Sequence, residues 1–271
     1  MMYVDHALAQ RLERLEGTAC AGFVEARAKL VPHSKATWTE IAGTYAMFDT
    51  PDSPITQTFG LGMFEQVTPQ DLDVMEQFFF SRGAPVNHEV SPLAGVETFA
   101  LLTERGYKPI ELTSVLYRST SEPLEAGLNP RISVRVAEAH EHDLWARVGA
   151  RGWSGEMPEA ADLLMDLGRV IAAKHDSAPF LAELEGTPVA AGSLSMHEGA
   201  ALLAGASTVP EARRHGAQLA LLDARLRFAV AHGCDLAMMC AAPGSSSQRN
   251  AERNGFRIAY TRVKWSLAAS G

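Results

Sequence analysis

In the second half of the chain, apolar and polar positions recur with two distinct periods, and the switches between them mark out elements. Ile132, Val134 and Val136 alternate with Ser133 and Arg135, the pattern of a half-buried strand. From His140 to Ala150 the spacing turns helical through Leu144, Trp145 and Val148, and a second helix is predicted over Pro158–Ala172, with Leu163, Leu164, Leu167, Val170 and Ile171 on its apolar face. The stretch between them, residues 151–156, reads as a loop. Three strands follow, Ala178–Leu184, Pro188–His197 and Ala201–Val209, separated by Glu-Gly-Thr at 185–187 and Glu-Gly-Ala at 198–200. Such turns close hairpins, so the three strands form an antiparallel meander. A helix from Gly216 to His232 ends at Gly233, where a left-handed cap belongs, and the continuous apolar run Leu236–Ala242 reads as a strand buried on both faces. Ser245–Asn254 reads as a short helix closed by Gly255, and Phe256–Leu267 as an edge strand or bent pair.

The first half repeats this order in pattern, though not in residue identity. A helix is expected from Asp5 to Leu30, strands over Thr37–Phe48 and Ile55–Met63, and a helix over Asp71–Ser81. A strand over Pro85–Pro92, a helix over Val96–Arg105 and a strand over Tyr107–Arg118 complete it, and Gly106-Tyr107-Lys108 lines up with Gly255-Phe256-Arg257. Between the halves, Ser119–Pro130 carries two prolines, a glycine and small polar residues without strand or helix periodicity, as a linker does. The expectation is two tandem domains of one fold, 1–120 and 131–271. Each is α/β of the α+β type, a mixed, mostly antiparallel twisted sheet flanked by helices.

Composition narrows the chemistry. Of 271 residues, 46% are apolar and 21% charged, which fits a folded globular chain, and 32 acidic against 24 basic residues leave a net charge of -8. That balance argues against a nucleic-acid-coating surface and suits a cationic partner. The three cysteines, Cys20, Cys234 and Cys240, have no framework or metal-ligand spacing, as in a reducing compartment. Charged residues interrupt every apolar run near the N-terminus, and no apolar stretch reaches the ~18 residues of a membrane span. A cytoplasmic protein with no nucleic-acid or membrane partner is expected. His140-Glu141-His142-Asp143 has metal-ligating residue types, but at a helix start these cap and solvate, so no metal is expected. Ser193 and Ser195 lack the second glycine of a nucleophile elbow, which leaves hydrolase chemistry unsupported. A dinucleotide-binding crossover fold is excluded because the strands before Val209 form hairpins.

Candidate chemistry concentrates at Val209–Leu222. There a strand ends, a turn holds Arg213, Arg214 and His215, and a helix begins at Gly216. First-turn amides lack internal partners, the helix dipole is positive at that end, and glycine permits close approach of an anion to the backbone, so a phosphorylated ligand is expected. Arg213-Arg214-His215-Gly216-Ala217-Gln218 resembles the pyrophosphate loop of the GNAT superfamily of N-acetyltransferases, Gln/Arg-x-x-Gly-x-Gly/Ala, at its first and fourth positions. Gln218 stands where a small residue is usual. The element order after Pro130 and the segment Ser245–Phe256 are similar to that family as well.

The resemblance implies acetyl-CoA as acyl donor and a primary amine of a small molecule or peptide as acceptor. It implies that Ser207, Thr208 and Val209 pair with the pantetheine arm, and that Arg214, His215, Gly216, Ala217, Gln218 and Leu219 hold the pyrophosphate. Ser247, Gln248 and Asn250 lie on the helix that touches the cofactor in relatives, and Trp153 and Ser154 on the segment that borders the acceptor. A strand amide around Ala206 or Ser207 would polarise the thioester. The family's thiolate-protonating tyrosine is replaced by Ala251; Tyr260 is a substitute candidate, and Glu183 a candidate base acting through water. The first half has Glu65–Leu72 at the corresponding place, without a basic turn or glycine, so it should not bind the donor the same way. A catalytically silent acyl-CoA sensor or interaction module is the alternative.

Overall fold

A computed structural model of the protein describes residues 3–122, 124, 127–154 and 158–268. Its first half runs α1 (His6–Leu30), β1 (Thr37–Ile41), β2 (Thr44–Phe48), β3 (Gln57–Phe59), α2 (Pro69–Phe80), β4 (Val86–Val90), α3 (Val96–Glu104) and β5 (Lys108–Ser119). The second half runs β6 (Ile132–Val136), α4 (His142–Ser154), α5 (Ala161–Ala173), β7 (Ser177–Leu184), β8 (Thr187–His197), β9 (Ala200–Thr208), α6 (Ala217–Ala231), β10 (Leu236–Ala241), α7 (Ser246–Arg253) and β11 (Arg257–Leu267). Both halves carry a meander, a helix, a strand parallel to the last meander strand, a short helix and a final strand. The mixed sheet flanked by helices, in two tandem copies, is therefore present.

Three two-residue hairpins share one device. Ala42-Gly43, Glu185-Gly186 and Glu198-Gly199 all have positive φ at both positions, the twist that matches flanking strands. The first splits the expected run Thr37–Phe48 into β1 and β2. Other boundaries move as well: the strand expected over Ile55–Met63 shortens to Gln57–Phe59, the helix expected from Pro158 begins at Ala161, and α4 continues to Ser154, into residues expected to form a loop.

The chain packs as two compact units that do not follow the contiguous halves. One holds Met1–Tyr117 and Cys240–Gly271, the other Arg118–Met239. In the first, the strand order is β1-β2-β3-β4-β11-β5, with β3 and β4 parallel. The chain's last strand, β11, lies between β4 and β5 and is antiparallel to both. It brings Arg262 beneath α1, where the fully buried guanidinium donates to Glu13 Oε1 at 2.8 Å and to Glu16 Oε2 at 2.6 Å. This ionic core accounts for residues after Cys240 packing there, since the two carboxylates offset much of the cost of burying a guanidinium.

In the second unit the order is β10-β9-β8-β7-β6. Phe228 of α6 meets Phe180 edge-to-face on one side of the sheet, while Gly149 of α4 faces Ala191 on the other. Helices α4 and α5 pack on each other through Gly168 against Ala146. The sheet is thus covered on both faces, which leaves its ends for chemistry.

Candidate active site

The site is built at the end of β9. Parallel pairing between β9 and β10 covers only Ala200–Leu202 with Leu236–Met238, while β9 runs on to Thr208. From Ala204 to Ala206 the strand is exposed or half-buried. Val209 N donates to Val189 O of β8, so by alternation the amide of Ser207 also faces β8, and that of Thr208 faces the unpaired edge. An extended arm laid along that edge would find backbone partners.

Beyond Val209 the chain makes one 3-10 turn, Pro210–Ala212, and then two left-handed residues, Arg214 at φ 67° and Gly216 at φ 89°. Gly216 is the N-cap of α6 and offers no side chain to its first-turn amides, and that turn contains no acidic residue. Open amides at the positive end of a helix dipole form an anion cradle. Arg214 and His215 are exposed beside it.

The cradle is braced by residues the family pattern does not name. Asn129 Nδ2 donates to His215 O at 2.9 Å, from a segment the sequence marks only as linker. Arg213 turns inward, its Nη2 donating to Gly152 O at 3.0 Å and its Nε to Thr208 O at 3.4 Å. Gln218 Nε2 donates to Thr208 Oγ1 at 2.8 Å, so the bulk of this unusual residue is folded back onto β9. Helix α4 crosses the same strand end so closely that a Cβ on Gly152 would lie 2.3 Å from Ser207 Oγ, and that hydroxyl donates to Gly149 O at 2.8 Å. Half-buried Trp153 follows directly on this helix; the Ser154 side chain lies outside the described residues.

Ser207, Thr208, Val209, Arg214, His215, Gly216, Ala217, Gln218 and Leu219 are thus brought together in the second unit, with Trp153 on the helix that crosses the strand end. Ser247, Gln248 and Asn250 belong to the first unit. There Ser247 and Asn250 are exposed on α7, and Gln248 accepts from Gly244 N at 2.8 Å and donates to Glu252 at 3.1 Å.

The acid and base candidates are engaged elsewhere. Tyr260 is buried in the first unit and donates to Glu13 Oε1 at 2.8 Å; burial and the adjacent carboxylate push its phenol well above the ordinary range. A phenol that holds its proton there and already donates to Glu13 has none to offer a leaving thiolate. Glu183 accepts from Arg135 at 2.9 Å, and Arg135 also grips Glu141, whose carboxyl is held well below the usual range by that guanidinium. Asp143 pairs with Arg147 and Arg169. Ser195 Oγ accepts from Lys174 Nζ at 3.1 Å, and Ser193 Oγ donates to Ala204 O at 3.1 Å. Among the described residues no cluster of three or more His, Cys, Asp or Glu side chains could hold a metal, and no helix is long and apolar enough to cross a membrane.

The first copy closes the corresponding cradle. Thr68 caps α2 by accepting from Asp71 N, and the Asp71 carboxylate accepts from Thr68 N at 2.8 Å, with Pro69 supplying no amide at the first helical position. Both the open donors and the charge preference of α6 are missing there.

Comparison with known proteins agrees with this geometry. A sequence model of the acetyltransferase (GNAT) family matches residues 139–256. The fold is similar to a GCN5-related N-acetyltransferase from Kribbella flavida, with a TM-score of 0.67, 16% identity, and coverage of 100% of this chain and 98% of that one. It is also similar to a tandem GNAT protein from the clavulanic acid biosynthesis pathway, at TM-score 0.61, 13% identity and coverage of 84% and 79%. A GCN5-related N-acetyltransferase from Sphaerobacter thermophilus gives 0.58, 16%, and 83% and 76%. No curated protein matches the sequence. The solved relatives, at such identities, share the fold, and the sequence match goes further: residues 139–256 match the GNAT acetyltransferase family, whose chemistry is acyl transfer from coenzyme A.

Proposed function

We propose that the protein is an N-acetyltransferase of the cytoplasm that moves an acetyl or other short acyl group from coenzyme A to a primary amine of a small molecule or peptide. The observation that carries this reading is the uncapped N-terminus of α6 behind the left-handed Arg214 and Gly216. The amides of Ala217, Gln218 and Leu219, with Arg214 and His215 beside them, suit the donor's pyrophosphate. The unpaired edge of β9 suits its pantetheine arm, with the Ala206 amide in reach of the thioester carbonyl. That amide supplies electrostatic stabilisation where negative charge develops, without a side chain.

Amine deprotonation and thiolate protonation fall to water in this scheme. Ala251 stands where the family has a tyrosine, and both Tyr260 and Glu183 are committed to structural partners. Those same observations favour the second reading, a sensor that binds acyl-CoA without turnover. Titration with coenzyme A, followed by thiol release across a panel of amines, separates the two. The enzyme reading requires one coenzyme A per chain and amine-dependent thiol release. Binding without release on every amine leaves the sensor, and absence of binding overturns both.

A further inference from the structure

Helix α6 carries an arginine on the face that packs into the unit. Arg225 is 2% exposed and pairs with no carboxylate among the described residues. Its partners are carbonyls: Nε donates to Leu221 O at 3.2 Å, and Nη1 to Ser193 O at 3.1 Å and Ala204 O at 3.5 Å. Burial pulls its proton affinity down, to a pKa of about 10. A buried guanidinium without a counter-ion is costly, so those carbonyl bonds must repay its desolvation.

The carbonyls belong to an irregularity in the sheet. Ser193 pairs with Ala204 and Ala191 with Ser207, so β9 carries one residue more than β8 between these pairs. The extra length is a bulge at Gly205 and Ala206, with Gly205 at φ 62°. A bulge orphans ladder groups, and here side chains take them: Arg225 binds Ser193 O and Ala204 O, and Ser193 Oγ also donates to Ala204 O. A bulge held this way is pinned next to Ala206, the residue whose amide the proposed function sets against the thioester carbonyl.

Resting on the N-acetyltransferase reading, we propose that Arg225 is a positioning residue, which fixes the β9 bulge and so aims the Ala206 amide at the thioester carbonyl of the acyl donor. It sits two turns along the helix whose N-terminus cradles the pyrophosphate, so one rigid element sets both ends of the donor. The test compares affinity for acetyl-CoA with affinity for free coenzyme A, which lacks the carbonyl, in the full-length chain. The wild type should prefer acetyl-CoA by roughly 3- to 10-fold, the worth of one hydrogen bond.

Arg225→Met should lose that preference while keeping its affinity for coenzyme A. Its kcat should fall roughly 10- to 100-fold, with the KM for donor moving far less. Arg225→Lys, which can still reach one carbonyl, should recover part of both. If Arg225→Met does not fold, Gly192→Ala asks the same question, because the new Cβ would lie 3.2 Å from Arg225 Nη1 and oblige the guanidinium to shift by a few tenths of an ångström against its carbonyls. A merely structural arginine would lower the melting temperature and leave the preference intact; a folded variant that keeps it overturns the proposal. A wild type that binds neither ligand overturns this role and the function together. One that prefers acetyl-CoA but never releases thiol sinks only the enzyme reading.

Discussion

Replacing Gly216 by alanine tests the anion cradle with the smallest possible change. The added Cβ has room, since its nearest neighbour, Asn129 Cβ, would be 3.6 Å away, so sterics with the surroundings contribute nothing. The cost is in the backbone: at φ 89° an L-residue is strained by roughly 1–2 kcal/mol. In the unliganded variant the turn can relax and shed part of that strain, but the bound state must restore the convergent amides. Binding then carries the part that was shed, and with tenfold per ~1.4 kcal/mol the dissociation constant for coenzyme A should rise several-fold, with about 30-fold as the ceiling. Gly233→Ala is the matched control. Gly233, just past the other end of the same helix, has φ 78°, and a Cβ added there would meet nothing within 4 Å. It should lose comparable stability and keep its affinity. Calorimetric titration of both variants decides the matter: equal affinities for Gly216→Ala and Gly233→Ala would refute the cradle.

Two further outcomes follow from the first unit. His88 is fully buried between Thr58 Oγ1 at 2.7 Å and Tyr107 OH at 3.2 Å, and burial lowers its pKa from 6.5 to about 3. A folded-state pKa below the unfolded one gives stability that is present above pH 6.5 and lost as pH falls toward 3. By pH 5 the loss should be ~2 kcal/mol. Urea unfolding at several pH values should show this slope, and His88→Gln should flatten it; an unchanged slope would contradict the assignment. Tyr260→Phe should leave thiol release within about twofold while lowering stability by ~1–3 kcal/mol, because Glu13 loses a buried donor. A large fall in kcat with unchanged stability would instead make the phenol a catalytic acid.

Much of the fold was legible because its signals are local. The X-Gly turns at 185–186 and 198–199 announce hairpins through the two positive φ values they need, and the element order follows from the periods of two and 3.6 between them. The hairpin at Ala42-Gly43 was hidden inside Thr37–Phe48, a stretch of strand-forming residues long enough to read as one element, and the C-terminal turn of α4 inside a Gly-Trp-Ser stretch that resembles a loop. The turn before α6 was readable, since strand, basic residues and glycine are contiguous. Its braces were not: Asn129 and Gly152 reach His215 and Arg213 from 61 or more positions away. Arg225 did leave a trace, being a charge on the stripe of Ala217, Leu221 and Ala229 that faces the core, four residues from each of its neighbours there. Such a charge on an apolar stripe has to be bonded to something internal.

The placement of β11 is the feature a contiguous reading could not contain, and it makes a final prediction. Residues 1–120 look like a complete copy, yet in the structure β4 and β5 are each paired to β11 along its length, from Val90 with Val263 to Val86 with Leu267 on one side and from Tyr117 with Arg257 to Lys108 with Ser266 on the other. Without β11, two strand edges lose their partners, and Glu13 and Glu16 lose Arg262 while remaining under the sheet. Removing one member of a buried ion pair costs roughly 3–5 kcal/mol, before any loss of ladder or apolar burial is counted. That is a large part of the ~5–15 kcal/mol that holds a domain together. Residues 1–120 expressed alone should therefore fail to fold, and adding a separately made peptide covering residues 240–271 should restore cooperative unfolding by circular dichroism. A stable, cooperatively folding 1–120 fragment would show that the last strand is an accessory to the first unit and not part of its core.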